Sequence, residues 1–332
     1  MKLKNAKIIA AAMSLGLVLT ACGNDNAANT TTEPAATEAE QKADETATEE
    51  PATEEAAEEP AAEEEATDTA SAEDYDFTVV SREDGSGTRG AFIELTGLEE
   101  KDANDEKIDT TTVDAIIQNS TNGVMQTVSK DDTAIGYISL GSLNDTVKAI
   151  KVEGVEATEE NIENGSYKIS RPFNLAYIDG ELSELAQDFI DFTLSTQAQE
   201  ITLEQGYVPV KDTKDYEAKG ISGTITVAGS TSVTPLIEAM AEKYHELNPD
   251  ATIEIQSTGS SAGIEATIDK AADIAMASRE LKDEEAEKLT PVVIATDGIA
   301  VIVNPNSKVE DLTIEQIKEI FNGNLKNTSE LN

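Results

Sequence analysis

The stretch TITVAGSTSVTPLIEAMAEKY, residues 224–244, reads as strand, turn and helix in one pass. Residues 224–229 form a short β-branched run closed by glycine, the pattern of a strand feeding a tight connection. Beyond Ser230, Thr231 and Ser232, Pro235 falls in a first helical turn, and Leu236, Met240, Tyr244 and Leu247 recur on one helical face. A strand that runs through a hydroxyl-rich turn into an amphipathic helix is the repeating unit of an α/β fold with a parallel sheet.

Outward from this unit the pattern continues. Downstream, ATIEIQ predicts a strand, STGSSAG a loop, the residues through Asp269 a helix, DIAMAS a strand, VVIATDGIAVIVNP one or two strands and TIEQIKEIFNG a last helix. Upstream, FTVVS predicts a strand, and RGAFIELTG a helix with Phe92 and Leu95 on one face. TVDAIIQNSTNGVMQTVSK reads as helical at both ends around an Asn-Gly break, and AIGYISLG as a buried strand. YKISRPFNLAYI is extended, with Pro172 marking an edge or bend. LSELAQDFIDFTLSTQAQEITLEQG is the longest helical pattern, with Leu185, Phe189 and Phe192 on one side and a stop at Gly206.

Between FTVVS and its helix lies SREDGSGTRGAF, residues 81–92, with glycines at 85, 87 and 90 in dinucleotide-binding spacing. The surroundings do not suit a dinucleotide, because EEKDANDEKIDTTT follows where a second hydrophobic strand with an acidic end is required. A nucleotide P-loop is excluded, since no Gly-Lys-Ser/Thr follows these glycines. What remains is an anion site or a tight turn with a solvated Arg-Asp pair. Glycine turns aim N–H groups at one point and a helix start adds partial positive charge. Ser86 and Thr88 add hydroxyls, and Arg82 could fork onto two oxygens of a tetrahedral oxyanion. Two further loops, at Ser230-Thr231-Ser232 and Ser260-Ser261, repeat the chemistry between a strand and a helix start. N-capping explains one hydroxyl per helix, not three such loops, so the reading favours a dehydrated oxyanion held by hydrogen bonds.

Composition bounds the rest. The chain has 332 residues, one cysteine, one histidine and a formal charge of −42. Residues 1–22 carry Lys2, Lys4 and Lys7 ahead of an apolar run too short to span a bilayer comfortably, the pattern of a secretory signal. The run closes on Leu19-Thr20-Ala21-Cys22, which resembles the lipobox of bacterial lipoproteins, and that resemblance implies acylation of Cys22. Residues 23–74 are Ala, Thr, Glu and Pro almost throughout, a segment that cannot bury enough apolar surface to order and reads as a disordered acidic tether. The first 22 residues carry +3 and residues 23–74 carry −17, so −28 falls on residues 75–332. So acidic a domain will not track along nucleic acid, and a small anion must be held by local dipoles against the overall field.

With the three loops in view, the chain resembles the PstS-type phosphate-binding proteins of ABC importers, within the periplasmic-binding-protein fold. The resemblance rests on TVAGSTSVTPLIEAMAEKY, IQSTGSSAGIEA, DIAMASREL, DGIAVIVNP, VVSREDGSGTRGAF, AIGYISLG and SRPFNLAY, most of residues 76–322. Their order departs from the family's, in which the GSTS segment leads; joining residue 332 to residue 75 would restore it. The resemblance therefore implies an α/β, two-lobed periplasmic-binding-protein type II fold, hinged between lobes and circularly permuted. Residues 75–147 and 304–332 are assigned to the lobe of the SREDGSGT loop, and 148–303 to the lobe of the GSTS and GSSAG loops. A swapped dimer in which two chains complete each other's lobes is the alternative to a permuted monomer.

Carried over by residue, the resemblance implies phosphate contacts from Arg82, Ser86, Gly87, Thr88, Thr231, Ser232 and Ser260, with Ser230 and Ser261 beside them. Asp84 is expected to orient Arg82. Many family members place an aspartate where this chain has Ser278, and Asp297 is the candidate replacement for that acid. Arg279 is either a second guanidinium or a surface ion pair with Glu280 or Asp283. The implied function is a lipid-anchored extracytoplasmic receptor that closes over inorganic phosphate and docks on an ABC permease, needing no cofactor, metal or bond chemistry. Its rivals are a phosphate sensor or scaffold without transport, and a secreted phosphate-ester hydrolase. The single histidine, His245, lies in the amphipathic helix pattern and is read as a surface residue rather than a catalytic base.

Overall fold

Val79 and Val80 are adjacent in sequence and belong to different hydrophobic clusters, because successive side chains of a strand point to opposite faces of its sheet. The computed structural model describes residues 74–331; the leader, Cys22 and all but the last residue of the acidic segment lie outside them. In chain order the principal elements are β1 (Thr78–Arg82), α1 (Gly87–Thr96), β2 (Ile116–Gln118), α2 (Thr121–Val128), β3 (Ala134–Ser139) and β4 (Ser170–Tyr177). There follow α3 (Glu184–Thr193), α4 (Thr196–Glu204), β5 (Gly223–Gly229), α5 (Thr234–Leu247), β6 (Ala251–Ser257), α6 (Ser260–Ile268), β7 (Ile274–Ala277), β8 (Thr290–Val303) and α7 (Ile314–Phe321).

These strands run β6-β5-β7-β4-β8-β3-β1-β2 across one sheet. Its two ends are parallel, β5 with β6 and β7, and β1 with β2 and β3. The middle is antiparallel, since β8 runs against both β4 and β3. The parallel sheet expected from the repeating units is thus a mixed one. VVIATDGIAVIVNP forms part of a single strand of fourteen residues, β8, which pairs with β4 as far as Gly298 and with β3 from Ile299.

The sheet is covered on both faces, but not by one core. Val79, Phe92, Tyr137, Ile150, Tyr167, Ile169, Val301, Ile317 and Phe321 pack together in the first lobe, with the Phe92 and Tyr137 rings stacked 3.9 Å apart. Phe173, Leu175, Phe189, Phe192, Val227, Leu236, Met240 and Tyr244 form the second lobe's core. The changeover falls at residues 169/170 and 298/299, so residues 148–169 pack with the first lobe rather than with the segment 148–303. The first and last described residues also meet: Phe77 N donates to Lys326 O at 2.7 Å and Thr328 N to Tyr75 O at 3.0 Å.

Three helical expectations are corrected. Residues 116–118 form β2, whose Ile116 and Ile117 pair with Val80 and Ser81, and only residues 121–128 are helical, with Ser120 accepting from Gly123 N. The Asn-Gly pair lies inside the first turn of that helix rather than breaking it. The long pattern after residue 182 is two helices, because Ser195 caps a new one by accepting from Ala198 N. Leu95 is 36 % exposed, and α1 buries Ala91, Phe92 and Ile93 instead. Pro172 stands opposite Thr296 of β8, at a position that the pairing of β7 with β4 does not reach, so its missing N–H interrupts no bond on that side.

Gly263 lets α6 lie directly on β5: a Cβ there would collide with Ala228 O and the Gly229 Cα. Gly263→Ala is expected to cost about 1–3 kcal/mol in urea unfolding, and to weaken anion binding because α6 carries Ser260. An unchanged unfolding midpoint would contradict this close approach.

Candidate functional site

Four loops follow the carboxyl ends of β1, β2, β5 and β6, and each opens a helix. Ligands of open α/β sheets bind at these ends, where helix starts present free N–H groups. The loops come from both lobes and they touch. Arg82 Nη2 donates to Thr231 Oγ1 at 3.1 Å, and the hydroxyls of Thr88 and Ser232 lie 2.8 Å apart. Ser230 Oγ donates to Ser278 Oγ at 2.9 Å, and Ser278 N donates to Ser260 Oγ at 3.3 Å. Gly87 has no room for a side chain, because a Cβ would collide with Ser260 Oγ. Arg82, Thr88, Ser232, Ser260 and Ser278 are at most 2 % exposed, while Thr231 is half-buried.

The structure therefore gathers Arg82, Gly87, Thr88, Ser230, Thr231, Ser232, Ser260 and Ser278. Ser86 is buried beside them, but its hydroxyl accepts from Arg89 N as the cap of α1. Ser261 N donates across to Gly85 O at 3.1 Å, which closes the rim. Outside that rim a groove of about 860 Å³ is lined by Asp84, Arg89 and Lys107 on one side and by Arg279, Glu284 and Glu287 on the other.

Three charged residues have partners other than those expected. Glu83, not Asp84, orients Arg82, accepting from Nε at 2.8 Å and from Nη2 at 2.9 Å. Asp84 sits in the exposed turn beyond the strand and pairs with Arg89 at 2.9 Å. Arg279 is fixed by both oxygens of Glu285, at 2.7 and 2.8 Å, and also donates to Ser261 Oγ at 3.2 Å, so its ion-pair partner is neither Glu280 nor Asp283. Burial opposes the charge on Glu285, but its bonds from Arg279 and Lys282 N hold the carboxyl below its usual range.

Asp297 does not face the hydroxyl cluster. It lies where β8 changes partners, opposite Arg171 on β4, and is fully buried. Arg171 Nε and Nη2 donate to Oδ2 at 3.1 and 2.9 Å, while Ser139 Oγ and Leu140 N donate to Oδ1 at 2.9 and 3.2 Å. With these partners, Asp297 is a tie between lobes rather than a replacement acid for the ligand. Burial pushes its carboxyl up to about 6 against the pull of Arg171, and burial likewise lowers Arg171.

Sequence reading missed Thr121, at the start of α2. Its hydroxyl lies 3.1 Å from Ser232 Oγ, and it is 3 % exposed. The signal is Ser120-Thr121 after IIQ, another hydroxyl pair between strand and helix, which a helical reading of IIQ conceals. His245 lies near the far end of α5 from the site, with Nδ1 3.0 Å from Ala251 O.

Fold and site together define a two-lobed receptor of the periplasmic-binding-protein class, and a model of the PBP superfamily domain matches residues 68–197 and 215–330. "Phosphate-binding protein PstS 2" of Streptococcus agalactiae is 50 % identical over 264 residues, which are 79 % of this chain and 90 % of that protein. The chain belongs to the PstS family of phosphate-binding proteins. The crystal structure of a phosphate ABC transporter phosphate-binding protein from Streptococcus pneumoniae is similar at a TM-score of 0.63 and 45 % identity, covering 77 % of this chain and all of that one. Phosphate-binding protein PstS of Bacillus subtilis is 36 % identical over 127 residues, 36 % of this chain and 42 % of that protein.

Because the folded Asp297 holds its proton to about pH 6 and the ordinary value is 3.8, its contribution to stability is fully present below 3.8 and is lost as pH rises through about 6. Asp297→Asn is expected to remove that slope and, by leaving Arg171 unpaired, to cost roughly 3–5 kcal/mol at pH 7.5. Denaturant midpoints measured from pH 4 to 7.5 check both, and a variant with the wild-type slope would refute the assignment.

Proposed function

We propose that the chain captures inorganic phosphate between its two lobes and hands it to the permease of an ABC importer. In this reading it is an extracytoplasmic lipoprotein, acylated on Cys22 and carried on the acidic segment. The observation that carries the reading is the meeting of hydroxyl groups from both lobes around the buried guanidinium of Arg82. The names of the relatives supply phosphate as the anion.

The contacts are assigned to the Arg82 guanidinium, the Thr88, Thr231, Ser232 and Ser260 hydroxyls, and the N–H groups of Gly87 and its neighbours. Each lobe supplies only part of this set, so the ligand favours the closed state. The scheme needs no bond chemistry, and the chain is a receptor rather than an enzyme. A hydrolase could not use the histidine as its base, since His245 is about 15 Å of helix away from the site end of α5.

The segment order is read as a circular permutation of the order that the family resemblance implies, one that the S. agalactiae protein shares. Two facts support it. The ends of the folded part are hydrogen-bonded to each other, as a permuted chain requires. A single alignment preserves order, and it spans 264 residues with the S. agalactiae protein but only 127 with that of B. subtilis.

Calorimetric titration of the chain from residue 23 with phosphate and with sulfate, alongside its mass in solution, tests the proposal. Tight phosphate uptake by a monomer is expected, and Arg82→Met is expected to weaken it by at least about 100-fold. A chain that binds no phosphate overturns the function, and a dimer overturns the permuted monomer.

A further inference from the structure

Thr121 has no task in its own helix. Ser120 caps α2, accepting from Gly123 N at 3.1 Å, and Thr127 donates back to Gly123 O at 2.9 Å. A β-branched residue also adds nothing to helix stability. Yet the Thr121 hydroxyl is buried, and each of its neighbours belongs to the candidate anion site. Ser232 Oγ lies at 3.1 Å, Thr231 Oγ1 at 3.3 Å and Arg82 Nη1 at 3.5 Å. Its amide N lies 3.4 Å from Thr231 Oγ1.

We propose that Thr121 is a further ligand-contacting residue, whose hydroxyl and N–H bind an oxygen of the tetrahedral anion beside the one held by Arg82. The proposal rests on the functional reading above and adds a fourth helix start to the site. Chemistry favours a hydroxyl here. Glu83, Glu285 and Asp297 are each committed to an arginine. A proton on a phosphate oxygen must then find an uncharged acceptor. A hydroxyl accepts from a protonated oxygen and donates to an ionised one, so Thr121 serves both forms that phosphate takes near neutral pH. Contact from α2 also makes closure of the first lobe depend on two helices, α1 and α2, rather than one.

The test is phosphate titration of the full mature chain bearing Thr121→Val, Thr121→Ser or Ser120→Ala, with thermal unfolding of each. Valine keeps the shape and removes the hydroxyl; the expected loss is about 10- to 100-fold in affinity. Serine is expected to stay within about threefold of wild type. Ser120→Ala, which removes only the cap, is expected to lower stability and leave affinity unchanged. Wild-type chain that binds phosphate while Thr121→Val binds within twofold of it overturns the contact alone. Loss in the serine variant equal to that in valine also overturns it. Wild-type chain that takes up no phosphate overturns the functional reading and this contact together.

Discussion

A guanidinium that is 2 % exposed, in a chain of formal charge −42, is the constraint around which the rest is arranged. Arg82 ends β1, and its side chain is enclosed rather than hydrated. Glu83 neutralises it from one side, and hydroxyls of Thr231 and Thr121 meet it from the other. The cation and the helix starts give a small volume of favourable potential inside an unfavourable field. That is the setting in which oriented N–H and O–H dipoles decide binding, since they work at contact distance while net charge is screened over about a Debye length.

Three further carboxylates are each held by an arginine. Glu285 is held by Arg279, Asp84 by Arg89, and Asp297 by Arg171 with Ser139 and Leu140. The last arrangement also joins the lobes. Asp297 stands on β8 two residues before Ile299, where the strand passes from one half-sheet to the other.

Much of this was legible in the sequence because it depends on local pattern. The 224–244 unit, the SREDGSGT loop and the hydroxyl of Ser260 are read from alternation, helical spacing and turn residues, Ser278 enters through the family resemblance, and the structure brings them together. What failed was what tertiary contact decides. Ile116 and Ile117 fit a helix or a strand equally, and only pairing with β1 makes them a strand, which hid Thr121. The partners of Arg82 and Arg279 and the place of Asp297 follow side-chain direction and packing, which spacing in the sequence does not give: Glu83, not Asp84, faces Arg82. The division of the cores at residue 170 escaped for the same reason: residues 148–169 have no signal of their own and join the first lobe by packing.

The central claim is that turns from two lobes close over one anion. Pulsed dipolar spectroscopy tests it directly, with spin labels at positions 107 and 287 on opposite walls of the outer groove. Neither position belongs to the hydroxyl cluster. Phosphate should shorten and sharpen the distance distribution, and sulfate at the same concentration should do so less. Distributions that phosphate leaves unchanged, under conditions where calorimetry records binding, would contradict closure over the ligand.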